Sequence, residues 1–182
     1  MKAMKRNHRG FTLIELMIVV AILAVLAAVA IVAYGAYVER SRNAEATSIL
    51  ADIRIKQDSY RATFHQYANP SGDTGTWIPD ATPDEQSRSW TKDVDAALVQ
   101  AWNQLGVQPD HGVYFSYMCV SGTPGDSPED PFASMGIEET NDFWYAARAM
   151  QDVDGDGSCA GFELYTGKIQ LVELLEGDEP CP

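Results

Sequence analysis

The residues best placed to do chemistry are a set of oxygen ligands near the C-terminus. Asp152-Val-Asp154-Gly-Asp156-Gly157, followed by Glu163, satisfies the calcium-loop pattern D-x-D-x-D-G-x5-E. Calcium takes about six to eight hard oxygens at roughly 2.3–2.6 Å, and alternate carboxylates in a tight loop can supply them. In this reading Asp152, Asp154 and Asp156 ligate, Ser158 adds its carbonyl, and Glu163 closes the site bidentately. Crowded carboxylates repel one another unless a cation neutralises them. The competing reading is a solvated turn between two strands, with Asp-Gly used for its positive φ. The flanks exclude an EF-hand. Cys159 and Ala160 stand where an apolar residue and a polar ligand are usual, and Gly161 and Thr166-Gly167 make a poor exiting helix. The expectation is a β-hairpin whose loop either holds calcium or is a bare turn.

Sulfur and imidazole offer less. The three cysteines, Cys119, Cys159 and Cys181, permit three alternative single bridges, each leaving one thiol. There is no CxxC and no HxxxH, so no zinc pattern. His8, His65 and His111 are isolated, and Cys119 and His111 are eight residues apart on an expected strand, which would hold them far from each other. No catalytic constellation emerges and the chain does not read as an enzyme. Trp77, Trp90, Trp102 and Trp144 read as packing residues.

The remaining unusual group is Glu15, the only charge in the apolar run Phe11–Val38. Its setting follows from how the charge is distributed. The 182-residue chain has 13 bases and 26 acids, a net charge of -13. The first ten residues carry Lys2, Lys5, Arg6 and Arg9 and no acid, whereas residues 62–182 carry four bases against 21 acids. This balance disfavours a nucleic-acid binder, which needs a basic face. From Leu16 to Val38 run 23 uncharged, mostly apolar residues, enough for the ~20-residue helix that crosses a bilayer. Bases before the run and acids after it place the N-terminus in the cytoplasm. The run is too long for a cleaved secretory signal, and its polar break lies at the N-terminal end. A carboxylate there costs about 2.5–3.5 kcal/mol on insertion scales, a cost relieved if it meets a cation. A cut after Gly10 would create one, the α-amino group of Phe11.

Gly10 followed by FTLIELMIVVAILAVLAAVAI resembles the N-terminus of type IV prepilins, specifically over residues 5–65. Tyr34, Tyr37, Arg40 and Ser41 match the type IVa pattern Y-x-x-Y-x-x-R-S. The resemblance implies cleavage after Gly10 by a membrane-embedded prepilin peptidase, methylation of the Phe11 amine, and Glu15 as the assembly carboxylate that neutralises that amine on a neighbouring subunit. It implies partners in other pilin subunits and the inner-membrane assembly machinery. It also implies an inner-membrane precursor with the N-terminus cytoplasmic, and an extracellular filament after assembly. The chain departs from the family's major subunits at Val32, where proline is usual, and at Ala24, where glycine is frequent. Those breakers accompany a locally melted helix in filaments, for which Gly35 is only a weak substitute. A pilin's disulfide-closed C-terminal loop resembles a Cys159–Cys181 bridge, leaving Cys119 as a buried thiol; Cys119–Cys159 is the rival. A type II secretion pseudopilin, or a non-polymerising membrane-tethered calcium-binding module, remain alternatives.

These groups need positioning elements. With no proline between Phe11 and Ala68, one helix of about 50 residues, about 75 Å long, is expected. Its outer half is amphipathic through Ala46, Ile49, Leu50, Ile53, Gln57, Tyr60 and Phe64. The expected divisions are a leader at 1–10, an assembly half-helix at 11–38 and a globular head at 39–182. Within the head, 66–111 reads as loops with a short helix at Asp93–Leu105 closed by Gly106. Residues 112–176 read as strands at Gly112–Val120, Asp142–Met150, Phe162–Thr166 and Lys168–Leu175, followed by a tail. The fold class expected is α+β, a pilin fold in which the long helix packs on a three- to four-stranded antiparallel sheet.

Overall fold

The computed structural model describes residues 11–80, 86–129, 132, 142–152, 155, 157–167 and 172–181. The chain divides into two compact units, Met1–Ser41 and Arg42–Pro182.

Helix α1 spans Leu13–Phe64. Its first half is built from Leu, Ala, Ile and Val, a run without proline or any interior charge beyond Glu15. Between Leu13 and Ile31 every large apolar side chain is exposed, from Val19 at 47% to Leu13 at 81%. A helix that is apolar all round and uncovered among the described residues suits lipid or the apolar surfaces of other chains. The helix ends where His65 turns left-handed at φ 58°. There its N–H donates to the Arg61 carbonyl at 2.8 Å, a left-handed C-terminal cap of the kind glycine usually supplies.

Within Arg42–Pro182 the α1 stripe behaves as its period predicts. Ala46, Leu50 and Ile53 are fully buried and Ile49 nearly so, against Tyr117, Cys119, Tyr145, Ala147, Ala149, Phe162 and Leu164 of the sheet. Phe64 departs from the expectation. It is 58% exposed and leans on Tyr60 with ring centroids 4.4 Å apart.

Strands β1 (Ser116–Gly122), β2 (Trp144–Gln151), β3 (Ser158–Tyr165) and β4 (Val172–Pro180) form one antiparallel meander in the order β1-β2-β3-β4. The first strand starts later than expected, because Val113 pairs instead with Arg88 in an isolated bridge. The last strand runs through Pro180, so the expected tail is largely strand. The far edge of β1 is covered by the segment after α1. Tyr117 exchanges backbone hydrogen bonds with Ile78, and the Cys119 carbonyl accepts from the Ser71 N–H, while the Cys119 N–H donates to Ser71 Oγ. An edge satisfied in this way has few groups left to recruit another strand.

Both faces of β2 are buried. One faces α1. On the other, Met118, Val120, Trp144, Ala146 and Met150 pack with Trp77, Phe132 and Cys159. Helix α2 (Ala96–Leu105) is shorter than expected: Asp93 is left-handed at φ 63°, and the Asp95 side chain accepts from the N–H groups of Ala97 and Leu98 to start the helix. Gly106 closes it at φ 89°. Its Trp102 meets Trp90 edge-on at 5.4 Å.

One polar residue belongs to the stripe. Gln57, fully buried, donates to the Ala68 carbonyl at 2.8 Å and accepts from the Ala68 N–H at 2.9 Å. It also donates to Cys119 Sγ at 3.1 Å. The amide thus holds the chain leaving α1 against the helix it has just left. Gln57→Leu would keep the volume and strand the Ala68 N–H and carbonyl. We expect a loss of about 2–4 kcal/mol, read as a lowered urea midpoint for the full chain in detergent; an unchanged midpoint would contradict this role.

Candidate functional site: the N-terminal segment and the acidic hairpin

Gly10 lies outside the described residues. Phe11 follows at 85% exposure. Thr12 and Glu15 then form a reciprocal cap on α1. The Thr12 N–H donates to Glu15 Oε2 at 2.9 Å and the Thr12 hydroxyl to the same oxygen at 2.8 Å. The Glu15 N–H in turn donates to Thr12 Oγ1 at 3.3 Å. This capping box satisfies backbone donors that a helix start otherwise leaves unpaired. It also holds the carboxylate at the N-terminal end of the helix, where the helix dipole favours negative charge. Thr12 carries no role in the motif as first read, although T-L-I-E fits the sequence signature of such a box.

The hairpin between β2 and β3 holds the other candidate residues. Asp154 and Asp156 lie outside the described residues. Asp152 is buried and accepts from the N–H groups of Gly155 at 2.7 Å and Gly157 at 3.1 Å. Gly155 and Gly157 are left-handed at φ 78° and 86°, the conformation the Asp-Gly steps were expected to provide. Ser158 opens β3. Glu163 sits in the middle of β3, opposite Arg148 of β2. Its Oε2 accepts from Arg148 Nε at 3.2 Å and pairs with Nη2 at 3.1 Å. Both side chains are buried, and the guanidinium lies over the Phe132 ring, 5.4 Å from its centroid. To serve a cation, Glu163 would have to give up its buried pairing with Arg148, which is costly. Among the described residues no group of three or more His, Cys, Asp or Glu is placed to hold a metal ion.

The structure pairs Cys159 with Cys181 across a Cα–Cα distance of 4.9 Å. The bridge joins the start of β3 to the residue after β4, beside a hydrogen bond from the Cys181 N–H to the Gly157 carbonyl at 3.2 Å. It therefore ties an edge strand, rather than a loose tail, to the hairpin. Closing a loop of this size is worth about 3 kcal/mol in the chain-entropy account.

Cys119 is free and buried. Burial pushes its thiol up to about 12, partly opposed by the hydrogen bond from Gln57. His111 is exposed beside Asp110, so Cys119 and His111 are not brought together. Buried like this, a thiol is a poor nucleophile.

Residues 5–31 match the prokaryotic N-terminal methylation motif. Neither curated proteins nor solved structures gave a match. The chain thus carries the type IV prepilin signature. The motif and the long apolar helix support a type IV pilin-like or pseudopilin precursor and fit membrane anchorage.

The thiol gives a direct check of the bridge. We expect the native full chain in detergent to show no reaction of Cys119 with a disulfide reagent at pH 8, and one equivalent on unfolding. The unfolded thiol ionises near 9.0, whereas burial holds the folded one up to about 12. The folded state therefore keeps its proton longer, and this contribution to stability falls as pH rises from about 9. A native chain that titrates at pH 8, or an unfolded chain with three thiols, would contradict the assignment.

Proposed function

We propose that the chain is a structural subunit of a type IV pilus. The precursor sits in the inner membrane with its N-terminus cytoplasmic, and prepilin peptidase cuts it after Gly10. The mature subunit then begins at Phe11, is methylated on that amine and polymerises through the first half of α1. The observation that carries this reading is the exposure of every large apolar side chain from Leu13 to Ile31, in the same stretch as the methylation motif. Such a helix suits lipid before assembly and a bundle of copies after it. Glu15 gives the bundle its register. Its carboxylate would exchange part of its bonding with Thr12 for the Phe11 amine of a neighbour, an attraction stronger in an apolar core than in water.

A pseudopilin of a type II secretion machine would use the same chemistry in a short periplasmic fibre. The long loops of the body favour a subunit whose surface is displayed. Calcium at the hairpin is part of the proposal. Asp152, Asp154, Asp156 and the Ser158 carbonyl would bear it, with Glu163 retained by Arg148. A carboxylate that accepts two N–H bonds, as Asp152 does, still has lone pairs to offer.

Two measurements test this. Mass spectrometry of sheared surface filaments should find a chain starting at a methylated Phe11. Glu15→Ala should leave membrane insertion intact and deplete the chain from those filaments at least about ten-fold; normal incorporation would remove the pairing. Calorimetry of the full chain in detergent with calcium chloride should give a binding heat that is lost in Asp152→Asn. No heat above buffer would remove calcium from the proposal.

A further inference from the structure

Within the Met1–Ser41 unit the exposed surface of α1 changes character after Ile31. Tyr34 and Tyr37 are each 70% exposed. Gly35 and Ala36 between them add little side chain, so the two rings make up most of that turn. Arg40 and Ser41 follow, both exposed. Residues three or four apart on a helix share a face, which puts Tyr34, Tyr37 and Ser41 on one side with Arg40 at its margin. Glu39 is set about 100° round from Arg40 and further still from both rings.

This face has contradictory needs in any single solvent. In water the body of each tyrosine ring stays unburied. Deep in lipid its hydroxyl has no partner. The boundary between hydrocarbon and headgroups meets both needs, which is why tyrosine gathers there.

The length of the helix brings the rings to that boundary. The 21 steps from Leu13 to Tyr34 rise about 32 Å, close to the ~30 Å of a hydrocarbon core. Arg40 stands about 9 Å further along the axis, at headgroup depth. Its guanidinium is a planar fork of donors suited to phosphate oxygens. A phosphate layer supplies the negative charge that this face lacks, whereas an isologous contact with a second copy would set Arg40 against Arg40.

We propose that Tyr34, Tyr37 and Arg40 dock α1 onto the phospholipid headgroups of the body-side leaflet, with the rings at the hydrocarbon boundary and the guanidinium on lipid phosphate. This rests on the membrane topology proposed above. It also sets the depth of Glu15. The 19 steps back from Tyr34 span about 29 Å, so the carboxylate and its Thr12 cap lie at the opposite boundary rather than deep in lipid. The two ends of the span are held at the two surfaces, and a subunit that leaves the bilayer must first break the phosphate contact.

The test places the full chain, highly diluted, in vesicles of phosphatidylethanolamine and phosphatidylglycerol. The lipids are brominated either near the headgroup or near the acyl-chain ends, and quenching of one added tryptophan is read against the wild-type background. Tyr34→Trp should be quenched at least about two-fold more strongly by the shallow bromines. Leu23→Trp, at mid-span, should show the reverse order. Adding Arg40→Leu to Tyr34→Trp should bring the shallow-to-deep ratio towards unity, because the released helix slides deeper. The proposal is overturned if Tyr34→Trp shares the deep preference of Leu23→Trp, if neither lipid quenches it while Leu23→Trp is quenched, or if Arg40→Leu leaves the ratio unchanged. If Leu23→Trp itself escapes quenching, the membrane span fails and the docking fails with it.

Discussion

Burial of one stripe of α1 against the sheet is the interaction on which the rest of the body depends. Ala46, Leu50 and Ile53 are completely buried, and at one position of the same stripe the contact is polar. Gln57 reaches both the Ala68 backbone and Cys119, so the helix, the segment that follows it and β1 meet at one side chain. That meeting puts Ser71 and Ile78 where they can satisfy the open edge of β1. It also places Tyr67 beside Tyr145 and within reach of Arg61. Edge protection and the placement of Tyr67 are both consequences of the same helix-to-strand contact.

The face of the sheet away from α1 follows a different logic. Trp77 and Phe132 cover it, and in this apolar setting Arg148 and Glu163 are buried opposite each other. Replacing such a pair with apolar residues is often neutral or stabilising, whereas breaking it is costly. Its effect is therefore one of specificity. A one-residue slip of β2 against β3 would put Arg148 and Glu163 on opposite faces of the sheet. The Cys159–Cys181 bridge separately ties the start of β3 to the residue after β4.

Periodicity made the stripe of α1 legible in the sequence, and the aromatic and β-branched runs marked the four strands, because both signals are local. The misses arose where geometry is non-local. Phe64 continues the helical period beyond the part of the helix the core covers. The acidic ending of β4, with Gly177 and Pro180, looks like a tail, yet pairing with β3 extends it. Glu163 fits the calcium spacing, but its partner is chosen by cross-strand register, which no spacing along the chain reveals. Thr12 was different: its signature was present in the sequence and was overshadowed by the carboxylate it holds. At the N-terminus the methylation motif was most legible, since it is contiguous with an apolar run that needs no tertiary context.

The charge distribution acquires a physical meaning from this division of labour. Cleavage after Gly10 would remove four bases and no acid, leaving nine bases against 26 acids, a net charge of -17. Bodies so charged repel at close range, although salt screens exposed charges beyond about 8 Å at physiological ionic strength. In the proposed filament this repulsion must be outweighed by burial of the exposed apolar residues of α1. At about 25 cal/mol per Å², that term grows with contact area and depends little on salt. Charge then keeps bodies apart laterally while the apolar helices hold subunits together.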